Sequence, residues 1–338
     1  MKRSYWLSLV VLFALGAVNT SVAQPGAQQA SGGSIERDLV GGAALIFRRP
    51  ENPKTVAGGG RISGSRDRTP NLRTQDQIIA KGNEARSAPA PRYSEAEGQY
   101  KLAAKQDPKD HRAFAGLGNI YLDQGRFSDA VDAYRDALKL KPDYQPVYMP
   151  LGFSLIRLNR YAEAIETYNQ LLKMDPNNPE IYNNLGYAYN HSERFPESIE
   201  ACQKAIALLG VTGEAYKQGL QNREEVLSQA YKNLGNAYNG LKRYREAADA
   251  LKQATIIEPN NAAAHFILGE ALYNGGRFSE AIEAYKEVLK LKPGLAQAHY
   301  NLGLAYISIN DKALALEEYN ALTSINPALA SQLRAAIN

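Results

Sequence analysis

Cysteine and the common catalytic motifs are what this chain most lacks. Cys202 is the only cysteine among 338 residues, and a single cysteine excludes an internal disulfide framework. The sequence has no glycine-rich phosphate loop followed by Lys-Ser or Lys-Thr, no Gly-x-Ser-x-Gly turn and no His-Glu-x-x-His metal motif. No segment outside the repeats described below is long and apolar enough to form a catalytic domain. We therefore predict that the protein is not an enzyme and binds no cofactor or metal.

Long apolar segments are also scarce, since the sequence has only one, at residues 6–18. It follows the basic residues Lys2 and Arg3 and precedes small residues that end at Ala23, which is the order of a secretory signal. We predict that residues 1–23 are a signal peptide cleaved near Ala23. The mature chain is then periplasmic or secreted, with no stable membrane insertion. Retention as an anchor is the alternative, because the apolar run is near the lower length limit for a spanning helix.

Excess positive charge is absent from most of the chain, although the net charge is +4. Residues 24–92 carry 11 basic and 6 acidic side chains, whereas residues 93–338 carry 26 basic and 29 acidic ones. A nucleic-acid-binding domain concentrates positive charge on its folded surface. We therefore predict no nucleic-acid partner.

Residues 24–74 are rich in Gly, Ser, Pro and Arg and poor in apolar side chains, so we predict a disordered tail. An apolar island at residues 39–50 interrupts this tail and ends in Arg48, Arg49 and Pro50. The island is either a linear motif that anchors a partner or a patch that rests on the protein's own first helices. The basic tail also suggests an alternative function, that of an accessory or assembly factor that contacts anionic polymers of the cell envelope.

Beyond the tail the chain is periodic, as its prolines show. Six prolines lie 34, 34, 83, 34 and 34 residues apart: Pro108, Pro142, Pro176, Pro259, Pro293 and Pro327. The interval of 83 residues holds two 34-residue periods and 15 extra residues. A fixed period of this size is typical of stacked-repeat proteins.

Each period contains two apolar stripes at helical spacing. We count offsets from repeat starts at 111, 145, 179, 228, 262 and 296. Offset 8 is glycine in all six repeats: Gly118, Gly152, Gly186, Gly235, Gly269 and Gly303. Offsets 4, 7, 8 and 11 share one face of a first helix, helix A, and offsets 17, 20, 24 and 27 share one face of a second, helix B. Glycine at offset 8 and alanine at offset 20 let the two helices approach closely.

The pattern of Leu117-Gly118, Tyr121, Phe127, Ala130, Tyr134, Ala137 and Pro142 resembles the tetratricopeptide repeat. The resemblance implies an all-α fold, a right-handed α-solenoid or superhelix of about seven helix-turn-helix repeats over residues 75–329. We place a degenerate repeat near 76–109 and regular repeats at 111–144, 145–178, 179–212, 228–261, 262–295 and 296–329. An insert at 213–227 interrupts them, and a capping helix at 330–338 closes the stack.

Two side-chain types that often bind metals are interpreted as structural. His265 and His299 both occupy offset 4, which is aromatic in the other repeats, so we expect packed substitutes for an aromatic ring. Cys202 lies at a core offset and is expected to be a small buried hydrophobe.

The resemblance also implies that the A helices line a concave groove and that ligands contact offsets 2, 5, 6, 9, 12 and 13. At these offsets the last four repeats carry many asparagines and tyrosines. The predicted peptide-binding residues are Asn183, Asn184, Tyr187, Asn190, Lys232, Asn233, Asn236, Asn239, Phe266, Glu270, Tyr273, Tyr300 and Asn301. An asparagine amide can both donate to and accept from a peptide backbone, so the offset-6 asparagines are expected to act as a ladder.

Lys232 and Asn236 also match the first half of the family's carboxylate clamp, but Ile267, Gln297 and Asn301 replace the rest of it. We therefore do not expect that clamp, and a merely solvated groove remains the competing interpretation. The predicted function is a non-catalytic scaffold or adaptor for a protein or an extended peptide.

Overall fold

The computed structural model describes residues 69–210 and 223–338, and this part of the chain contains α-helices and no β-strand. The predicted all-α repeat solenoid is confirmed. Fifteen α-helices follow one another within the described ranges: α1 Thr69–Ser87, α2 Tyr93–Gln106, α3 His111–Asp123, α4 Phe127–Leu140, α5 Tyr148–Arg157, α6 Tyr161–Met174, α7 Pro179–His191, α8 Phe195–Gly210, α9 Arg223–Gly240, α10 Tyr244–Ile257, α11 Ala262–Asn274, α12 Phe278–Leu291, α13 Ala296–Ser308, α14 Lys312–Ile325 and α15 Pro327–Ile337.

Three predicted boundaries need correction. Helix α1 begins at Thr69, so residues 69–74 belong to a helix and not to the tail. Helix α9 begins at Arg223, so the last five residues of the predicted insert, 223–227, extend an A helix. Helix α15 begins at Pro327, because proline is well suited to the first turn of a helix, three residues before the predicted cap.

The remaining predictions for the N-terminus and the insert lie outside the described residues. They concern the signal peptide, residues 24–68 of the tail with the apolar island, and residues 213–222 of the insert.

In five of the six regular repeats, glycine at offset 8 makes room for a side chain at offset 24 of the same repeat, and in the last repeat Gly303 makes room for Leu333. A Cβ atom on Gly118 would lie 2.5 Å from the Tyr134 ring, and a Cβ on Gly269 would lie 2.5 Å from the Tyr285 ring. Non-bonded carbon atoms do not approach this closely. The predicted close approach of helices A and B is therefore present, and its main occupant is a buried ring from helix B.

The turn from helix A to helix B has one conformation in the six regular repeats. Its offset-15 residue is left-handed, with φ between 57° and 74°: Gly125, Asn159, Glu193, Lys242, Gly276 and Asn310. The next N–H then bonds back to the offset-11 carbonyl, as in Arg126 N to Tyr121 O at 2.8 Å. This pairing satisfies a carbonyl that the helix end would otherwise leave without a partner.

The turn from helix B to the next helix A is closed by the ring at offset 4. Tyr148 Oη donates to the carbonyl of Pro142 at 2.6 Å, and Tyr182 Oη donates to that of Pro176 at 3.1 Å. His265 Nε2 lies 2.9 Å from the Pro259 carbonyl, and His299 Nε2 lies 2.9 Å from that of Pro293. The two histidines therefore replace tyrosine in a hydrogen bond at the turn, although both are only partly buried and not fully packed as predicted.

The apolar core changes character at α8. One cluster of buried side chains ends at Ala201 and the next begins at Cys202, which is fully buried as predicted. Between them, α7, α8 and α9 bring together buried asparagine, serine, glutamine and lysine side chains: Asn183, Asn184, Ser198, Ser228, Gln229, Lys232 and Asn233. We call this set the polar junction.

Candidate functional site

The thirteen predicted site residues lie on four A helices that follow one another along the stack. Helices α7 and α9 carry four residues each, α11 carries three and α13 carries two. Helix α9 packs directly on α7, and α11 contacts both α9 and α13. We call the side of these helices that bears offsets 2, 5, 6, 9, 12 and 13 the A face.

Five of the thirteen side chains are not available to a ligand in this structure. Asn183, Asn184 and Lys232 are 0% exposed, Asn233 is 1% exposed and Phe266 is 2% exposed. The prediction that these five residues present a peptide-binding surface is therefore corrected. The reason is the close packing of neighbouring A helices, which covers offsets 5 and 6.

The asparagines of α7 and α9 bond to each other across the helix interface. Asn233 Nδ2 donates to Asn183 Oδ1 at 3.0 Å, and Asn190 Nδ2 donates to the Asn233 carbonyl at 2.8 Å. Asn183 Nδ2 lies 3.4 Å from Asn184 Oδ1. Amides buried in this way need partners, because an unsatisfied buried polar group is costly. The polar junction is thus an internal interface that holds two repeats together.

The predicted offset-6 ladder is likewise directed at the protein itself. Asn301 Nδ2 lies 3.4 Å from Tyr285 Oη, and Asn301 Oδ1 accepts from Gln297 Nε2 at 3.0 Å. Asn184 Nδ2 lies 3.4 Å from Met149 Sδ. Together with the bond from Asn233, these contacts engage all three ladder amides within the fold. These three asparagines therefore do not form a ladder that could bind the main chain of a peptide.

Burial of Lys232 also removes the partial clamp match. A carboxylate clamp needs an ammonium group that reaches the ligand, whereas this side chain is fully covered by the polar junction. Lys232 therefore cannot offer its ammonium group to a ligand in this structure.

The other eight predicted residues stay partly exposed on the A face. These are Tyr187 and Asn190 on α7, Asn236 and Asn239 on α9, Glu270 and Tyr273 on α11, and Tyr300 and Asn301 on α13. Tyr187 packs against His191, with ring centroids 4.2 Å apart. Asn239 Oδ1 is buried and has no hydrogen-bond partner within the described part of the chain. The surface that remains open therefore runs mainly along α9, α11 and α13.

Glu270 dominates the electrostatics of this open surface. Burial raises the pKa of its carboxyl to about 7. Burial, followed by the charge of the Glu270 carboxylate, raises the pKa of the Tyr285 phenol. Burial also raises the pKa of Tyr300. The carboxyl thus lies in surroundings that disfavour its charge.

Sequence reasoning missed Tyr285, which lies on helix B and therefore at no groove offset. Its ring is 1% exposed, packs against Phe266 with centroids 5.9 Å apart and places its hydroxyl next to Asn301. Gly269 was the available signal, because a Cβ at that position would lie 2.5 Å from the Tyr285 ring.

Comparison with family models covers the regular repeats. Models described as tetratricopeptide repeat match residues 111–144, 180–209, 232–296 and 276–337, and one described as TPR repeat matches residues 152–192. The chain belongs to the tetratricopeptide repeat family. The resemblance read from the offset pattern is thereby confirmed.

Two solved structures show the same fold, and a third is similar in sequence over half of the chain. A tetratricopeptide repeat protein from Parabacteroides merdae is 15% identical, with a TM-score of 0.55. The match covers 78% of the present chain and 99% of the Parabacteroides merdae chain. Pseudomonas aeruginosa PilF is 18% identical, with a TM-score of 0.53 and coverage of 68% and 99%. MamA is 29% identical over 53% of this chain and 90% of its own, with a TM-score of 0.45. No curated protein sequence matches the chain.

Residues 69–210 and 223–338 contain no group of three or more His, Cys, Asp or Glu side chains that could hold a metal ion. No helix in these ranges is both long enough and apolar enough to cross a membrane.

Proposed function

We propose that this tetratricopeptide repeat protein is a non-catalytic scaffold that binds a protein or an extended peptide on the A face of α9, α11 and α13, in the periplasm or outside the cell. The family is a protein-interaction family, which supports the general class. The export signal proposed at residues 1–23 supports the location.

One observation carries the choice of surface. Asn236, Asn239, Tyr273 and Tyr300 keep partly exposed amides and rings, whereas the asparagines of the polar junction use their amides inside the protein. Partly exposed tyrosines offer apolar contact area at low entropic cost, and partly exposed asparagine amides can pair with a peptide backbone. The backbone and apolar side chains of an extended segment of a partner protein match these amides and rings.

The test uses the full chain and a library of randomised short peptides with blocked ends. We expect immobilised protein to retain part of the library. Replacing Tyr273 and Tyr300 together by alanine should lower the retained amount about tenfold, because two aromatic anchors are lost. Tyr244→Ala is the matched control, since Tyr244 is also partly buried but starts helix α10 on the B side.

The proposal fails if the wild-type protein retains no more library than the double variant does. It also fails if Tyr244→Ala reduces retention as strongly as the double variant, because the loss would then follow from weakened repeats in general. Circular dichroism of the three proteins establishes that all remain helical.

The location is tested separately. We expect the protein purified from a medium or periplasmic fraction to begin at Gln24 when its N-terminus is sequenced. An N-terminus at Met1 in a membrane fraction would contradict export with cleavage.

A further inference from the structure

Glu270 is an isolated carboxylate in the middle of the open part of the A face. It lies on α11, with Phe266 one turn before it and Tyr273 one turn after it. Side chains three and four residues apart share one face of a helix, so the carboxylate is bordered by two aromatic rings on its own helix. It is the one acidic side chain among the thirteen predicted site residues.

The glutamates that follow the A-to-B turns provide a comparison, because their carboxylates form ion pairs. Glu163, Glu197, Glu246 and Glu280 each accept from the guanidinium of the arginine three residues earlier, at distances of 2.7–3.0 Å. Within the described part of the chain, the Glu270 carboxylate takes part in no hydrogen bond and no ion pair. It is partly buried all the same.

A desolvated carboxylate without a partner is an unfavourable arrangement for an isolated fold. Burial alone raises its pKa to about 7, because no cation among the described residues offsets the lost hydration. A cation supplied from outside would restore the favourable state. The position therefore has the chemistry of a half-completed ion pair.

The neighbouring ring on α11 fits the same ligand. Tyr273 lies one helical turn after Glu270 and is partly exposed. Aromatic ring faces attract ammonium and guanidinium groups, and a carboxylate binds them through charge-assisted hydrogen bonds. An anionic ligand would be repelled at this position, and a divalent metal would find only one carboxylate.

We propose that Glu270, one helical turn from Tyr273 on α11, forms a subsite for one arginine or lysine side chain of the bound peptide. This inference rests on the proposed function and adds the residue that determines specificity. Arginine is the better fit of the two, because its planar guanidinium can bind the carboxylate through two hydrogen bonds and stack on a ring at the same time.

The test compares the composition of the retained library between variants of the full chain. We expect the peptides retained by the wild-type protein to be enriched in arginine and lysine about tenfold over the input. Glu270→Gln should retain peptides but reduce this enrichment to less than about twofold, because the amide keeps the shape and loses the charge. Glu317→Gln is the control, since Glu317 is exposed on α14 and the substitution changes the net charge equally.

A second measurement uses one retained peptide in two forms, with arginine and with citrulline. Citrulline has the same shape and no charge. We expect the wild-type protein to bind the arginine form about tenfold more tightly, and Glu270→Gln to bind both forms equally.

The outcomes separate the two proposals. No retention of peptides by the wild-type protein contradicts the proposed function as a whole. Retention without enrichment in basic residues, or an enrichment that Glu270→Gln leaves unchanged, overturns the Glu270 subsite and leaves peptide binding in place.

Discussion

The polar junction of α7 and α9 and the open face of α11 and α13 have similar sequences at the groove offsets. Their roles are opposite, because the first is internal and the second is accessible to a ligand. Both carry asparagine and tyrosine at the groove offsets. At the polar junction α9 packs against both α7 and α8, and the amides bond to one another. At α13 the A helix packs mainly on its B-helix neighbours, so Tyr300 and Asn301 stay partly exposed. The residue type at an offset therefore does not decide whether the side chain is buried or exposed. The packing of the neighbouring helix decides it.

The largest effect is expected when an amide is removed from the polar junction. Asn233→Ala deletes the donor to Asn183 Oδ1 and leaves that oxygen buried without its partner. We expect the free energy of unfolding, measured in urea, to fall by about 2–3 kcal/mol.

Asn301→Ala is the comparison for that experiment, because Asn301 is partly exposed, makes a long contact with Tyr285 and accepts one bond from Gln297 on its own helix. Its cost should be below about 1 kcal/mol. Equal losses for the two variants would remove the distinction between the junction and the open face.

A similar loss of about 2 kcal/mol is expected from Gly269→Ala, because the new Cβ would lie 2.5 Å from the Tyr285 ring that supports the open face. Gly98→Ala in α2 is the matched control, since a Cβ there meets no atom within 4 Å. Alanine favours the helix there, so this control should gain about 0.5–1 kcal/mol. Thermal melts of the two variants that shift in the same direction would contradict the packing described here.

The third prediction concerns pH. The folded pKa of Glu270 is about 7, above the ordinary value of about 4.3 in an unfolded chain. The native state then binds more protons than the unfolded state between these values, so stability falls as pH rises across this range. Glu270→Gln should be more stable than the wild type by about 1–2 kcal/mol at pH 8 and nearly equal to it at pH 4.5. Urea titrations at both pH values measure this, and a gain that is the same at both would contradict a buried, unpaired carboxylate.

The smallest effect is expected at His299, which lies on α13 at offset 4 and therefore not on the A face. Its Nδ1 lies 2.6 Å from the Glu318 carboxylate and its Nε2 lies 2.9 Å from the Pro293 carbonyl. The carboxylate, followed by the carbonyl, raises the pKa of His299 against the opposing effect of burial. The resulting stability is fully present below about pH 6.5, the unfolded value, and is lost as pH rises through the raised folded value.

His299→Tyr should keep the bond to the proline carbonyl, as Tyr148 and Tyr182 do in their repeats. It should also abolish the part of the stability that falls as pH rises through the raised pKa of His299. Unfolding curves at pH 5.5 and pH 8.5 measure the difference, and an unchanged pH dependence in the variant would contradict the role given to this imidazole.

The sequence predicts the helical repeats well because each offset repeats the same packing requirement. Gly118 and Gly269 face a large ring in the same way, so their spacing is sufficient evidence for the fold. The left-handed turns at Glu193 and Lys242 are less visible, because neither residue type favours that conformation by itself.

The candidate site is predicted only in part, and the reason is physical. Whether Asn184 or Asn301 is covered depends on how the next helix packs, which no local pattern encodes. The sequence shows that Glu270 is the one acidic residue at offset 9 of the six regular repeats. Its lack of an arginine partner becomes visible only when the helices around it are in place.

Hydroxyl-radical footprinting with and without a retained peptide tests the central claim most directly, namely that the open face of α11 and α13 binds ligands while the polar junction belongs to the fold. The account predicts that Tyr273 and Tyr300 are oxidised in the free protein and protected by the peptide, and that the fully buried Tyr134 stays unmodified in both states. Protection of Tyr187 on α7 with no change at Tyr273 or Tyr300 would contradict it.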